Sequence, residues 1–222
     1  MSSGPLPQPR SWKALLIAGD DAEPAFDNAV EVMAGKLETF GVPRANIMVL
    51  KASGLGTQAA TAANIMHDFT QLDPSTAEGC FIFITSHGAP NKGLLMTSAK
   101  AFLSPDDLDS LLNRSCGTSP TVVIASGCFS GIFAEGQTMP AANRIILTAA
   151  RDDRPSFGCN AKRNLTLFDQ CALSNLDPGL RWHVAMGRIT ACVATNERTL
   201  GIEASSSPQI SVGAAVVNLR VF

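Results

Sequence analysis

The sequence predicts an α/β fold: a mostly parallel sheet of about six strands with helices on both faces. Three observations carry this reading. Short apolar, β-branched runs alternate with helix-spaced segments, the βαβα order that builds parallel sheets. Two of the runs, Phe81–Thr85 and Thr121–Ala125, are almost continuously apolar, as strands covered on both faces are. Both lead into reactive residues, Ser86-His87-Gly88 and Ser126-Gly127-Cys128, and parallel sheets gather their chemistry where strands end.

The elements follow in order. Trp12 to Ala18 is a first strand, closed by Gly19-Asp20-Asp21. Phe26, Val30, Met33, Leu37 and Phe40 share one helical face, and Gly41 and Pro43 stop that helix. Ile47 to Leu50 is a second strand, Gly54-x-Gly56 a turn, and Ala59 to Phe69 a second helix broken by Asp73-Pro74. Cys80 to Thr85 leads into His87, and Gly93 to Met96 is a short strand beyond a loop. Ser104-Pro105-Asp106-Asp107 opens a helix: the serine caps, proline fits the first position, and the aspartates favour the positive end. Thr121 to Ala125 and Arg144 to Ala149 are further strands. Helices are expected around Leu165–Leu173 and Leu180–Thr195, and a last strand over Gln209–Val217.

The 222 residues are 45% hydrophobic and carry a net charge of -2, enough for one full-sized core over residues 11–222. Residues 1–10, small and Pro-rich, read as a disordered tail without the apolar core of a signal peptide. Lysines and arginines are scattered, which argues against a nucleic-acid or membrane surface, and no apolar stretch is long enough to span a bilayer. The cysteines, at 80, 116, 128, 159, 171 and 192, fit no zinc spacing, and no C-x-x-C is present. Cys80, Cys171 and Cys192 lie in apolar or helical stretches and read as buried free thiols, which leans towards a reducing, cytoplasmic compartment. A periplasmic or secreted location stays open if a leader was removed. Oligomeric state is not legible.

A thiol needs a neighbouring base to attack near neutral pH, and an imidazole supplies one. The attacked carbonyl gathers charge on oxygen, which backbone N–H groups in a tight turn stabilise, and glycines let substrate approach them. Cys128 beside Gly127, and His87 beside Gly88, supply these parts. His67, on a helical pattern, and His183, beside Trp182, read as structural or exposed. Gly54-x-Gly56 follows a strand but lacks the third glycine of a dinucleotide fingerprint.

An ordered set of segments resembles the legumain-like cysteine peptidases, peptidase family C13, which share the three-layer caspase-like fold. The set comprises Ser86-His87-Gly88 with Gly93-Leu94-Leu95; Pro105 to Leu111; Ala125-Ser126-Gly127-Cys128-Phe129-Ser130-Gly131; Thr148-Ala149-Ala150 with Ser156-Phe157-Gly158-Cys159; and Ser207 to Gly213, which is similar to bacterial-type members. The resemblance implies a cysteine endopeptidase acting on peptide or protein substrates, with no metal or organic cofactor needed. It implies Cys128 as nucleophile, His87 as general base, and the N–H groups of Gly88 and Cys128 as oxyanion hole, with a thioester intermediate. A transamidase-like transpeptidase and a non-catalytic caspase-like interaction module are the alternatives.

The chain departs from the family beside the reactive residues. Legumains carry acids two positions before the nucleophile and just before the histidine; here stand Ser126 and Ser86. The pocket residues the resemblance implies are Ser126, Ser156, Phe157 and, allowing a short gap, Asp169, whose other reading is an exposed helix charge. Asp20, Asp21 and Asp27 follow the first strand, where the family places another pocket residue; Asp27 is retained as a candidate, and the arginine of legumains is absent. Arg151-Asp152-Asp153-Arg154 reads as a solvated loop, and the stretch from Arg151 to Arg163 as a candidate cleavage site for activation.

Overall fold

The computed structural model describes residues 4–159 and 163–222. In chain order the elements are β1 (Ser11–Ala18), α1 (Pro24–Thr39), β2 (Ile47–Leu50), α2 (Ala62–Leu72), β3 (Glu78–Thr85), β4 (Gly88–Ala89), β5 (Gly93–Met96), β6 (Ala101–Leu103), α3 (Pro105–Ser115), β7 (Thr121–Ser126), α4 (Ile132–Glu135), β8 (Arg144–Thr148), α5 (Leu167–Asn175), α6 (Trp182–Thr199) and β9 (Gln209–Val212). A six-stranded sheet runs β2-β1-β3-β7-β8-β9, and β4, β5 and β6 form a small separate antiparallel sheet. All neighbours in the large sheet are parallel except β8 and β9.

Alternation along the central strands sorts side chains between two cores. Ala14, Leu16, Phe81, Phe83, Val122, Ile124 and Leu147 face α1, α5 and α6. Leu15, Ile17, Ile82, Ile84, Val123 and Ile146 face α2, α3, α4 and the small sheet. This is the three-layer α/β arrangement expected, and β3 and β7 are central because both faces are covered.

Boundaries moved where backbone bonds were already committed. Helix α2 starts at Ala62, capped by Thr61, rather than at Ala59. The residues before it are held elsewhere: Lys51 N–H donates to Gln58 O at 2.8 Å and Ala60 N–H to Lys51 O at 2.9 Å. The capping box of Ser104 and Asp107 opens α3 as expected. The last strand stops at Val212, short of Val217. Gly213 presses so closely on the carbonyls of Ala141 and Ala142 that a Cβ would collide, and a 3₁₀ turn over Ala214–Val216 follows.

The cysteines require a correction. Cys80 is bonded to Cys116, and Cys171 to Cys192, so none of Cys80, Cys171 and Cys192 is a free thiol. Cys116 caps the C-terminus of α3 and lands beside the start of β3, while α5 packs along α6. Neither juxtaposition can be read from local hydrophobicity. Two disulfides also remove the ground for a reducing compartment, since such bonds persist in oxidising ones. The segment from Gly4 to Arg10 carries no regular element but is tied down: Leu6 N–H donates to Ala215 O at 2.7 Å and Arg10 N–H to Ala77 O at 2.8 Å. Among the described residues no helix is long and apolar enough to cross a membrane.

Candidate active site

Thr85 and Ser126 are register partners at the ends of β3 and β7. One further bond, from Ser86 N–H to Ser126 O at 3.0 Å, carries the pairing past the strands. The chain segments that follow, His87-Gly88 and Gly127-Cys128, are therefore held side by side. Both glycines are needed for that approach. A Cβ on Gly88 would collide with the Cys128 carbonyl oxygen, and one on Gly127 would sit 2.7 Å from Ser86 O. Gly88 pairs with Leu94, and Leu95 N–H donates to His87 O at 2.8 Å. In an antiparallel ladder that pattern makes Gly88 a non-hydrogen-bonded position, so its N–H lies off the ladder. That donor lies next to the Cys128 backbone.

The turn carrying the thiol is strained and braced. Phe129, directly after Cys128, has a left-handed φ of 58°, which costs a non-glycine residue about 1–3 kcal/mol. Its N–H donates to Arg154 O at 2.8 Å. The buried Ser130 hydroxyl accepts from Ala149 N–H at 3.1 Å and Ala150 N–H at 3.3 Å, pinning the turn to the end of β8. Gly131 is pressed against the Arg151–Asp152 backbone with no room for a Cβ. The charged segment read as a solvated loop is exposed at its side chains, where Arg151 pairs with Asp153, yet its backbone supports the nucleophile turn.

Cys128 is half-buried, and Ser156 holds its sulfur. Ser156 N–H donates to Sγ at 3.3 Å, and the thiol faces Ser156 O at 3.3 Å as a donor. Burial pushes the thiol above its ordinary range, partly opposed by the Ser156 backbone bond. His87, also half-buried, packs edge-on against Phe26, with ring centroids 5.2 Å apart. The residue before it, Ser86, is fully committed: its hydroxyl donates to Leu95 O at 2.6 Å. His67 and His183 are exposed, as expected.

Phe26, Ser86, His87, Ser126, Gly127, Cys128, Ser156, Phe157, Cys159 and Thr166 line one small cavity. It encloses about 10 Å³, room for about one water. Ser126, Ser156 and Phe157 thus line the same cavity as His87 and Cys128. Asp169 is not an exposed helix charge: it is wholly buried beneath the strand ends, where Thr85 Oγ1 donates to its Oδ2 at 2.7 Å and its Oδ1 has no partner. Burial drives its carboxyl well above the usual range, against the opposing pull of the Ser126, Thr85 and Thr166 hydroxyls. Asp27 is not brought to the cavity. Its carboxylate accepts from Ala52 N–H at 2.9 Å and Ser53 N–H at 3.3 Å and so braces the loop after β2. Asp20 likewise accepts from Ala22 N–H and Thr97 Oγ1.

Phe26 and Thr166 of the cavity escaped sequence reasoning. Phe26 was legible only as part of a helical face. Thr166 caps α5 by accepting from Asp169 N–H at 3.0 Å, a local Thr-x-x-Asp signal that could have located it. The free thiol of Cys159 sits on the cavity wall. Glu23, at the start of α1, has a buried Oε2 without a partner. The stretch from Arg151 to Arg163, read as a candidate cleavage site, includes residues 160–162, which lie outside the described residues. Among the described residues no cluster of His, Cys, Asp or Glu has the arrangement of a metal site.

Residues 68–176 match the Peptidase C13 family. The C13 match runs from within α2 to just past the end of α5 and so includes the His87 and Cys128 strand ends and Asp169. The structure is similar to caspase-1 from Spodoptera frugiperda, with a TM-score of 0.66 at 13% identity over 94% of this chain and 88% of that one, a likeness of fold. No curated protein matches the sequence. The C13 match of that segment supports cysteine peptidase-type activity in general terms, and the caspase likeness shows the fold.

Proposed function

We propose that residues 11–222 act as a cysteine endopeptidase domain in which Cys128 is the nucleophile and His87 the general base. The observation that carries the reading is the pairing of Thr85 with Ser126, which sets the two reactive residues on adjacent parallel strands. His87 takes the Cys128 proton as sulfur attacks the scissile carbonyl. Negative charge on the carbonyl oxygen is met by the N–H groups of Gly88 and Cys128. The imidazolium then protonates the departing amine, leaving a thioester. Water, deprotonated by His87, hydrolyses it and frees Cys128.

Ser126, Ser156 and Phe157 would surround the side chain on the acyl side of the cut bond. With hydroxyls in the positions where legumains carry acid, that contact is made through neutral hydrogen-bonding groups, with Asp169 beneath them. Substrate must widen the cavity, and it must break the bonds by which Ser156 holds the sulfur.

The test is cleavage of internally quenched peptides from a mixed library under mild reduction. Cys128→Ala should abolish turnover. His87→Ala should lower kcat by about 10²–10⁴, the usual range for loss of a general base. Equal cleavage by wild type and Cys128→Ala would refute the assignment. So would a slow-labelling Cys128 in a thiol-probe assay whose rate is unchanged in His87→Ala.

A further inference from the structure

Six cysteines leave two thiols once the disulfides are formed: Cys128 and Cys159. Both are half-buried, and both line the same cavity of about 10 Å³. They are also linked through one short loop. Ser156 N–H and C=O each meet Cys128 Sγ at 3.3 Å, and Cys159 follows three residues later. Three residues reach at most about 10 Å even when extended. The loop is not extended, because Gly158 between them has a left-handed φ of 91°.

The two sulfurs also sense each other electrically. The Cys159 thiol is pushed up first by burial and next by the charge of Cys128, with smaller contributions from Glu23 and Asp169.

We propose that Cys128 and Cys159 form a redox pair, in which Cys159 resolves oxidised Cys128 as a reversible disulfide. The oxidant class is a hydroperoxide, for which hydrogen peroxide serves. The Cys128 thiolate attacks a peroxide oxygen; the O–O bond breaks, a sulfenic acid forms, and one water leaves. Cys159 then attacks the sulfenic sulfur; the S–O bond breaks, the S–S bond forms, and a second water leaves. Two thiols are oxidised by two electrons, and one peroxide is reduced to two waters. A dithiol reverses the bond by exchange. Bridging needs Cα atoms about 4.4–6.8 Å apart, so the Ser156–Cys159 loop closes onto the nucleophile turn as the bond forms. The bond occupies the sulfur that the proposed peptidase uses, and only its effect on turnover rests on that reading. The advantage is chemical: a disulfide is recoverable, whereas an unresolved sulfenic acid proceeds to irreversible sulfinic acid.

The experiment is non-reducing peptide mapping by mass spectrometry after titration with hydrogen peroxide. The expected result is a Cys128–Cys159 linked peptide that rises with oxidant and vanishes with dithiothreitol, while Cys80–Cys116 and Cys171–Cys192 persist. In Cys159→Ser, normalised to its own reduced state, Cys128 should instead accumulate as sulfinic acid that dithiothreitol does not recover. Absence of the cross-link in wild type, or equal recovery of Cys128 in Cys159→Ser, would overturn the proposal. Mapping needs no activity, so a chain that cross-links but cleaves nothing sinks the peptidase assignment alone.

Discussion

Replacing Cys171 and Cys192 together by alanine should cost about 3 kcal/mol of stability. The bond joins residues 21 apart and ties α5 to α6. Opening a loop of that size returns about 11 cal/mol/K to the unfolded chain, or roughly 3.3 kcal/mol at 25 °C. The Cys80–Cys116 bond spans 36 residues, for which the same relation gives about 3.8 kcal/mol. The two loops share no residues, so their effects should add to about 7 kcal/mol. Against a total stability of about 5–15 kcal/mol, that leaves a fully reduced chain marginal. The assay is guanidinium unfolding of wild type and of each double-alanine variant, with Cys128 and Cys159 alkylated in all. Each variant should lose about 3–4 kcal/mol, and its melting temperature should fall by about 6–16 °C. A loss below about 1 kcal/mol in either variant would refute the reasoning, because the unfolded chain would then gain no freedom from the cut.

Two other substitutions probe the site. Gly88→Ala drives a methyl into the Cys128 carbonyl and displaces the proposed oxyanion donor, so kcat should fall by about 10²–10³ with less change in KM; steady-state kinetics on one quenched peptide would show it, and an unchanged kcat would remove Gly88 N–H from the reaction. Asp169→Asn addresses the buried carboxyl, whose folded pKa is raised chiefly by burial. A raised acid favours the folded state below its unfolded pKa, and that advantage is lost as pH rises through the interval up to the folded pKa. Asp169→Asn should therefore flatten the fall in stability across that interval and be more stable than wild type above it, as urea midpoints over a pH series would report; parallel curves for the two proteins would show that Asp169 does not titrate on unfolding.

What the sequence disclosed depended on how local the determining physics was. The capping box at Ser104 and Asp107 and the helical face of α1 arise within a few residues and were legible. So were the apolar runs of β3 and β7, since burial on both faces removes polar alternation. The His87 and Cys128 turns followed from those runs. The disulfides were not legible: Cys80 and Cys116 meet because α3 ends beside the start of β3, a tertiary fact. Asp27 misled for a similar reason. Its chain position resembles a pocket residue, yet the backbone donors of Ala52 and Ser53, from the loop after β2, claim its carboxylate. Asp169 was legible only through the family resemblance, because nothing in Leu167-Phe168-Asp169 marks a carboxylate destined for the core.

The structure also bears on how the thiol becomes reactive. Legumain-like peptidases place an acid before the histidine; here Ser86 stands there and spends its hydroxyl on Leu95 O. Burial favours the neutral thiol of Cys128. In the free protein the sulfur is satisfied by the Ser156 backbone, on both its donor and its acceptor side. That clamp belongs to the loop that would line the substrate pocket, beside Phe157 and Cys159. Because the cavity holds only about one water's volume, an acyl-side residue enters by moving that loop. On the proposed mechanism the same movement would strip Sγ of its Ser156 partners and leave its proton to be transferred to His87, so substrate entry would complete the activation of the thiol.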